Sequence, residues 1–261
     1  MDILIIGDAH VKPGVSLERF DWLGRLIYEI SPDVVVDMGD FSDMESLCSY
    51  DKGKLGFYDR RYKADVNCAL EARDRVLRPL RKAKHKMSRF VSLVGNHEDR
   101  VRRAIELEPQ ALEGVISIDD TCQKPWERIP FLTPIDLQGV AFNHYFPSGA
   151  MGRPISGENP ATTLIGKTFS SCVAGHSHLL DFSERTTVTG RKIRGLVAGC
   201  FLAENQVEEY AGLQVCQMWF RGLIWLKNVS NGNYDLETIS IARLRALYGE
   251  AKWPRKLRLV R

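Results

Sequence analysis

Residues 171 to 180 read SCVAGHSHLL: a short apolar run ends at Gly175, and His176 and His178 follow with one residue between them. In an extended chain, side chains at positions i and i+2 point to the same face, so the two imidazoles can converge on one point. This arrangement suits two histidines that bind a metal ion, but two surface histidines at the end of a strand would give the same sequence pattern. The rest of the chain decides between these interpretations.

Four other short apolar runs have the character of buried strands. They are ILII (3–6), VVV (34–36), FVSLV (90–94) and VAF (140–142). Helical patterns separate them, and this alternation is typical of a mixed α/β fold. The chain shows no repeat and no credible linker, so we predict one α/β domain over residues 1–261.

Each of the five runs leads directly into side chains that can bind a metal ion. The segments are GDAH (7–10), GDFSD (39–43), GNHE (95–98), NH (143–144) and GHSH (175–178), and they contain five of the six histidines. Loops at the carboxyl ends of strands are where α/β sheets build their sites. Imidazole, carboxylate and amide oxygen without thiolate suit Mn, Fe or Zn better than a structural zinc site. So many ligands exceed the needs of one tetrahedral ion, which favours two ions that share a carboxylate.

The composition is that of a soluble globular protein, with 44% hydrophobic and 26% charged residues. No apolar run is long enough to span a membrane, and the N-terminus enters a strand-like run without a signal peptide. We therefore predict no membrane association and a cytoplasmic location. The six cysteines include no C-x-x-C pair, which argues against a zinc ribbon, a redox motif and a disulfide framework.

Positive charge is concentrated in two segments, although the net charge is only +3. Residues 51–90 contain 13 Lys or Arg against 5 Asp or Glu, and residues 252–261 contain 5 Lys or Arg without an acid. Two basic surfaces would suit nucleic acid as a partner. Solvated helix faces and a basic tail explain the same charges at least as well. An apolar stripe in the first segment predicts a helix that leaves four arginines for solvent or a ligand: Arg73, Arg75, Arg78 and Arg81.

The order of the motifs resembles that of the calcineurin-like metallophosphoesterase family. D-x-H, G-D-x-x-D, G-N-H-E, a lone His and G-H-x-H follow one another from Asp8 to His178. The resemblance implies two mixed β-sheets in a sandwich flanked by helices, the four-layer αββα type, with the hairpins after His178 in the second sheet. It also implies a metal-dependent phosphoric ester hydrolase in which a hydroxide that bridges two metal ions attacks the phosphate ester.

The resemblance further implies which residues hold the two divalent ions. One ion would be held by Asp8, His10 and His178. The other ion would be held by Asn96, His144 and His176, and Asp40 would bridge the two. We expect Mn²⁺, with Fe, Zn, Ni and Mg as alternatives.

Two more residues receive roles from the resemblance. His97 would protonate the leaving oxygen or stabilise the transition state, and Asp43 would orient its ring and raise its pKa. A helix N-cap or a loop carboxylate explains Asp43 equally well. Separately, Arg100, Arg102 and Arg103 follow the G-N-H-E motif and could contact the substrate phosphate, although a solvated helix face explains at least two of them.

The motif around Asp40 departs from one branch of the superfamily. Protein Ser/Thr phosphatases carry G-D-x-V-D-R-G, whose Arg grips the phosphate, whereas here Met44 and Glu45 follow Asp43. Together with the basic segments, this departure favours a phosphodiesterase or nuclease that acts on nucleic acid or nucleotides. A phosphomonoesterase acting on a small molecule or a protein is the alternative, and a catalytically silent scaffold of the same fold ranks below it.

Residues 161–168, ATTLIGKT, imitate a phosphate-binding loop of the NTPases. Ala161 replaces the first glycine of that motif, and no strand precedes it to carry the loop. Asn159-Pro160 instead predicts the first residues of a short helix. The sequence therefore does not favour an NTPase.

Overall fold

Two large β-sheets pack face to face in the computed structural model, which describes residues 1–83 and 87–249. Within these residues the chain forms the strands β1 (Ile3–Ile6), β2 (Val34–Asp37), β3 (Arg89–Leu93), β4 (Trp126–Ile129), β5 (Ile135–Leu137), β6 (Val140–Asn143), β7 (Pro147–Ser148), β8 (Arg153–Pro154), β9 (Ser171–Ala174), β10 (Leu180–Thr186), β11 (Lys192–Ala198), β12 (Gly222–Ser230) and β13 (Asn233–Ser240).

Seven α-helices in the described residues accompany these strands. They are α1 (Glu18–Ile30), α2 (Tyr62–Ala83), α3 (Arg100–Leu107), α4 (Pro109–Leu112), α5 (Pro160–Thr168), α6 (Gly212–Gln217) and α7 (Ile241–Tyr248). Short 3₁₀ turns interrupt the long connection between β2 and α2, at Glu45–Leu47, Ser49–Asp51 and Leu55–Phe57. Throughout the part of the chain that is described, no helix has the length and apolarity needed to cross a bilayer.

The first sheet has the strand order β13-β12-β1-β2-β3-β4, in which β1 to β4 are parallel and β12 is antiparallel to β1. The second sheet has the order β10-β11-β9-β6-β5, in which β6, β9 and β11 are parallel. Central parallel strands need cover on both faces, so their sequences are continuously apolar. This is why the runs ILII and VVV show no alternation of polar residues.

Within residues 1–83 and 87–249, three apolar cores hold four layers together. Leu4 and Ile6 of β1 belong to the core shared with helices α1, α2 and α7. Ile3 and Ile5 point the other way, into the core between the two sheets, as the two-residue period of a strand requires. A third core joins the second sheet to α5, with Leu164 and Cys172 among its members. The predicted αββα sandwich of two mixed sheets flanked by helices is thereby confirmed.

Two expectations about the later elements are wrong. Only the hairpin β10–β11 joins the second sheet, because β12 and β13 extend the first sheet beside β1. The sequence of residues 99–114 also predicts one helix that closes at Gly114, but α3 ends at Leu107 and α4 begins at Pro109. A proline disfavours helical backbone in the residue before it, and Glu108 accordingly has φ −134° and ψ 58°.

Arg73 on α2 is buried, which contradicts the expectation that it faces solvent or a ligand. Its exposed fraction is 1%, and its Nη2 donates to Oδ2 of Asp37 at 3.0 Å and to Oγ of Ser92 at 2.9 Å. Its Nε donates to the carbonyl of Thr121. Arg73 therefore fastens α2 to the carboxyl ends of β2 and β3, from which two of the candidate ligand loops begin.

Replacing Arg73 with Met is expected to lower the free energy of unfolding by about 3 kcal/mol, because Asp37 would stay buried without its cation. Urea unfolding followed by circular dichroism measures this change. Arg75→Met is the matched control on the same helix: Arg75 pairs with Asp21 in a partly exposed position, so its loss should cost less than about 1 kcal/mol. Equal, small losses in the two variants would show that the buried pair does not fasten α2.

Candidate metal centre

The predicted site residues meet at one edge of the sandwich, beyond the carboxyl ends of β1, β2, β3, β6 and β9. The loops after these strands carry, in chain order, Asp8, His10, Asp40, Asp43, Asn96, His97, His144, His176 and His178. Asn96 and His176 are partly exposed, and the other seven side chains are buried. The structure thus brings all the predicted ligands and both predicted catalytic residues into one cluster.

The first group of possible ligands consists of Asp8, His10 and His178, whose ligand atoms lie within 4.8 Å of one another. Oδ2 of Asp8 is 3.2 Å from Nε2 of His178. Both ring nitrogens of His10 are buried without a hydrogen-bond partner among the described residues. Burial and the charge on His97 lower the pKa of His10 to about 4, so its ring is neutral and offers a lone pair. Buried polar atoms without partners are costly, and a cation would satisfy them.

The second group consists of Asp40, His144 and His176, with ligand atoms again within 4.8 Å of one another. Nε2 of His144 lies 3.3 Å from Oδ2 of Asp40 and 3.0 Å from Oδ1 of Asn96, so the Asn96 amide oxygen joins this group. Nδ1 of His144 donates to the carbonyl of Met38 at 2.9 Å, which orients the ring with Nε2 toward the group. Burial opposes protonation of His144, but the Asp40 carboxylate raises its pKa to about 10.

Asp40 lies between the two groups. Its Oδ2 is 3.3 Å from His144 in the second group and 3.9 Å from Nε2 of His10 in the first. Its Oδ1 accepts the backbone N–H of His97 at 2.8 Å. The imidazoles around it hold the pKa of Asp40 well below its usual range although burial acts in the opposite direction. A carboxylate in this position can be shared by two cations.

The backbone of the cluster is strained where it presents these side chains. His10, Asp40, His176 and His178 have φ values of 41°, 49°, 69° and 61°, which non-glycine residues adopt at a cost of about 1–3 kcal/mol each. Gly95 lies so close to Asp40 that a Cβ there would overlap its carboxylate and backbone nitrogen. Strain of this kind is retained at functional sites, where the surrounding structure compensates for it.

Glu98, to which no role was assigned from the sequence, organises two of the loops. Its buried carboxylate accepts the backbone N–H groups of Asp40 at 3.0 Å, Ser42 at 2.7 Å and Gly95 at 3.0 Å. Burial and the nearby charge of Asp40 raise the pKa of Glu98 to about 7. The signal was present in the sequence, since Glu98 is the last residue of the G-N-H-E motif.

His97 and Asp43 form the predicted pair. Nδ1 of His97 is 2.8 Å from Oδ1 of Asp43. Burial lowers the pKa of His97, but the charges of Asp40 and Asp43 outweigh it and raise that pKa above its usual value. The alternative explanation of Asp43 as a helix N-cap is wrong, because the next helical turn begins at Glu45 and Met44 occupies its cap position.

Lys12 and Glu208 complete the surroundings of Asp43 and were both missed in the sequence. Nζ of Lys12 lies 3.0 Å from Oδ2 of Asp43 and 2.9 Å from Oε2 of Glu208. Although burial opposes it, the two carboxylates raise the pKa of Lys12. The spacing of Lys12 from His10 could have indicated that Lys12 faces the site, because the two residues occupy alternate positions after β1. No sequence signal connects Glu208 with Lys12, because the two residues are 196 positions apart.

The three arginines after the G-N-H-E motif have different environments. Nη1 of Arg100 donates to the carbonyl of Asp43 at 2.7 Å, and Nη2 lies 3.4 Å from Nε2 of His97. Arg102 pairs with Asp99 and Glu106 on the helix surface, and Arg103 donates to the carbonyl of Asn96. Arg100 is therefore placed closest to the His97 and Asp43 pair.

A cleft of about 990 Å³ opens over both ligand groups, and we call it the site cleft. His97, Asn96 and Arg100 line it near the ligands, whereas Tyr50 and Tyr210 stand farther out. Their side chains have exposed fractions of 84% and 68%. Through this cleft, a substrate can reach the cluster from the solvent.

Residues 1–180 of the chain match the family model of the calcineurin-like phosphoesterases, Metallophos. Among solved structures, Yfce, a phosphoesterase from E. coli, is 13% identical with a TM-score of 0.40, and the match covers 92% of this chain and 100% of that chain. A second solved structure is also 13% identical, with a TM-score of 0.37 and coverage of 92% and 99%. A search of curated proteins gives no match.

The family match covers all five motifs that contribute to the two ligand groups. Imidazole, carboxylate and amide donors, with nitrogens on His10 and His176 that find no partner in the described part of the chain, form a donor set that suits divalent metal ions. Hence the chain belongs to the calcineurin-like phosphoesterase family, whose members use a dinuclear metal centre, and it is a metal-dependent phosphoric ester hydrolase.

Proposed function

We propose that the protein is a Mn²⁺-dependent phosphodiesterase that acts on nucleic acid or nucleotides, within a single domain over residues 1–261. The observation that carries the proposal is the site cleft, which extends well beyond the two ligand groups. Its volume of about 990 Å³ is at the upper end of the range for small-molecule sites, about 300–1,000 Å³. It therefore has room for ester groups on both sides of a phosphate.

Charge in the cleft supports the same class of substrate. Lys54 and Arg60 line it at a distance from the ligand groups, where both pair with Asp51, and Arg100 lines it beside His97. Cations in these places would attract a polyanion and contact more than one phosphate. The position of the phosphatase arginine is taken by Met44, which is fully buried and cannot grip a terminal phosphate.

The basic surface that the sequence of residues 51–90 predicts offers fewer free cations for binding nucleic acid than the sequence indicated. Arg73 is buried, and Arg75, Arg78 and Arg81 are paired with the acids Asp21, Glu71 and Asp74. The basic residues 252–261 lie outside the described residues. Lys54 and Arg60 also pair with an acid, Asp51, so their support for the proposal is their position in the lining of the site cleft. The cytoplasmic location stays a prediction.

We assign the metal ligands as two sets that share one residue. Asp8, His10, His178 and Asp40 would hold one ion, and Asp40, Asn96, His144 and His176 would hold the other. Two bound divalent ions would supply a nucleophile from water at neutral pH, polarise the phosphoryl group and neutralise charge during displacement.

The other side chains of the site would position the substrate and protonate its leaving oxygen. The Asp43 carboxylate holds Nδ1 of His97, so that Nε2 would be the nitrogen that delivers a proton to the leaving oxygen. Lys12 contacts the second oxygen of Asp43, which fixes the carboxylate and hence the plane of the imidazole. Nη2 of Arg100 lies 3.4 Å from Nε2 of His97, and at the cleft it would donate to a phosphate oxygen.

Turnover of bis-p-nitrophenyl phosphate and of p-nitrophenyl phosphate tests the diester preference. The enzyme is stripped of metal with a chelator and resupplied with Mn²⁺, Zn²⁺ or Mg²⁺ in parallel. We expect kcat/KM for the diester to exceed that for the monoester by at least about tenfold, highest with Mn²⁺, because the cleft accommodates two ester groups. A preference for the monoester would replace the proposal with a phosphomonoesterase, in which Arg100 grips the terminal phosphate.

A further inference from the structure

A second cavity, of about 640 Å³, adjoins the site cleft, and we call it the side cavity. The two cavities share Tyr50, Asn96 and Arg100 in their linings. Asn96 belongs to the second ligand group, so the side cavity begins directly beside it. A phosphate held at the ligand groups could therefore extend one of its ester substituents into the side cavity.

Aromatic and apolar side chains form much of the wall of the side cavity. The rings of Phe131 and Tyr145 pack edge to face, with their centroids 5.7 Å apart. The Tyr145 ring lies 5.1 Å from the ring of His176 and 5.7 Å from that of His144, so it separates the cavity from the second ligand group. Leu112 contributes further apolar surface. Such a lining favours a flat, weakly polar group.

The mouth of the side cavity combines an aromatic ring with cations. The Tyr50 side chain is 84% exposed, although it lies where the two cavities meet. Lys52 and Arg103 also line the side cavity, and Arg103 pairs there with Asp99. An exposed ring beside cations is the arrangement in which proteins stack a nucleobase and neutralise its neighbouring phosphate.

We propose that the side cavity is a nucleoside subsite: it takes the base and sugar of a nucleotide whose phosphate lies at the metal centre. The proposal rests on the proposed phosphodiesterase function and deepens it by naming the group on one side of the scissile bond. The base packs against Tyr145 and Phe131, and Tyr50 covers it from the mouth. A volume of about 640 Å³ falls in the usual range for ligands of this size, about 300–1,000 Å³.

Three p-nitrophenyl diesters test the subsite. They carry methyl, cyclohexylmethyl or thymidine-5′-yl as the second ester group and release the same leaving group, so their chemical steps are matched. We expect kcat/KM for the thymidine ester to exceed that for the methyl ester by about tenfold or more, the usual gain from stacking one base. An equal gain from the cyclohexylmethyl ester would overturn the nucleoside assignment, because any apolar group would then suffice.

Two variants locate the effect in the side cavity. Ala104→Trp fills it, and Tyr50→Ala removes the exposed ring; each should lower the ratio of kcat/KM for the thymidine ester to kcat/KM for the methyl ester about tenfold. Tyr58→Ala is the matched control, since Tyr58 is an exposed ring of the same segment and lines neither cavity. Tyr50 is on the surface, so that variant stays informative if Ala104→Trp does not fold.

The outcomes separate the subsite from the function on which it rests. If the wild-type protein cleaves the methyl ester, but both variants leave the thymidine ester unaffected, the nucleoside subsite is wrong and the phosphodiesterase proposal stands. If the wild-type protein cleaves none of the three diesters and only p-nitrophenyl phosphate, the phosphodiesterase proposal itself is wrong.

Discussion

Asp40→Asn is expected to lower kcat by about a thousandfold or more, the upper end of what one electrostatic group supplies to catalysis. The Asp40 carboxylate reaches both ligand groups, 3.3 Å from His144 and 3.9 Å from His10. The amide of Asn has the same shape but lacks the negative charge that two neighbouring cations require. Initial rates with bis-p-nitrophenyl phosphate at saturating Mn²⁺ measure the effect.

Asp235→Asn is the matched control for this substitution. It makes the same chemical change in an exposed residue on β13, whose carboxylate accepts a hydrogen bond from the Asn228 amide. The control should keep wild-type rates. Turnover by Asp40→Asn within tenfold of the wild-type value, in a protein with an unchanged melting temperature, would exclude Asp40 as the shared ligand.

His97→Ala is expected to slow the reaction by about 100- to 1,000-fold for an ester with a poor leaving group, as the loss of a general acid does. His97 lines the cleft, and Asp43 orients its ring and helps to raise its pKa. An alkoxide must be protonated as it leaves, whereas p-nitrophenolate is stable without a proton. The defect should therefore be much smaller for p-nitrophenyl esters than for alkyl esters.

The comparison of leaving groups distinguishes the roles that His97 could have. An equal defect for alkyl and p-nitrophenyl esters would assign His97 to stabilisation of the transition state rather than to proton delivery. Loss of bound metal from the His97→Ala variant would contradict both roles, because it would make the residue a ligand. Asp43→Asn should reproduce the leaving-group dependence in a weaker form, since it removes the partner that orients the ring.

Much of the fold could be predicted because its strands are buried on both faces. Leu4 and Ile6 face one core and Ile3 and Ile5 another, which leaves a short continuous apolar run as a clear signal. The placement of β12 and β13 could not be predicted in this way. A hairpin carries its own register and turn, but nothing in its sequence tells which sheet edge it joins.

The same contrast applies to the site. Its predicted residues follow strand ends, so one topological rule about parallel sheets brought them together. The positions of Glu208 and Arg73 cannot be predicted from strand ends. Glu208 reaches Lys12 across 196 positions of sequence, and Arg73 is an arginine in a basic helix whose burial depends on a partner, Asp37, from another element. Contacts of this kind need the tertiary structure.

The measurement that tests the dinuclear centre most directly is the metal content of purified protein after equilibrium dialysis against Mn²⁺, determined by elemental analysis for the wild-type chain and for Asp40→Asn. The two ligand groups and the shared carboxylate predict two manganese ions per wild-type chain and at most one in the variant. One ion or none in the wild-type chain, or two ions in both proteins, would contradict a centre in which Asp40 is shared by two metals.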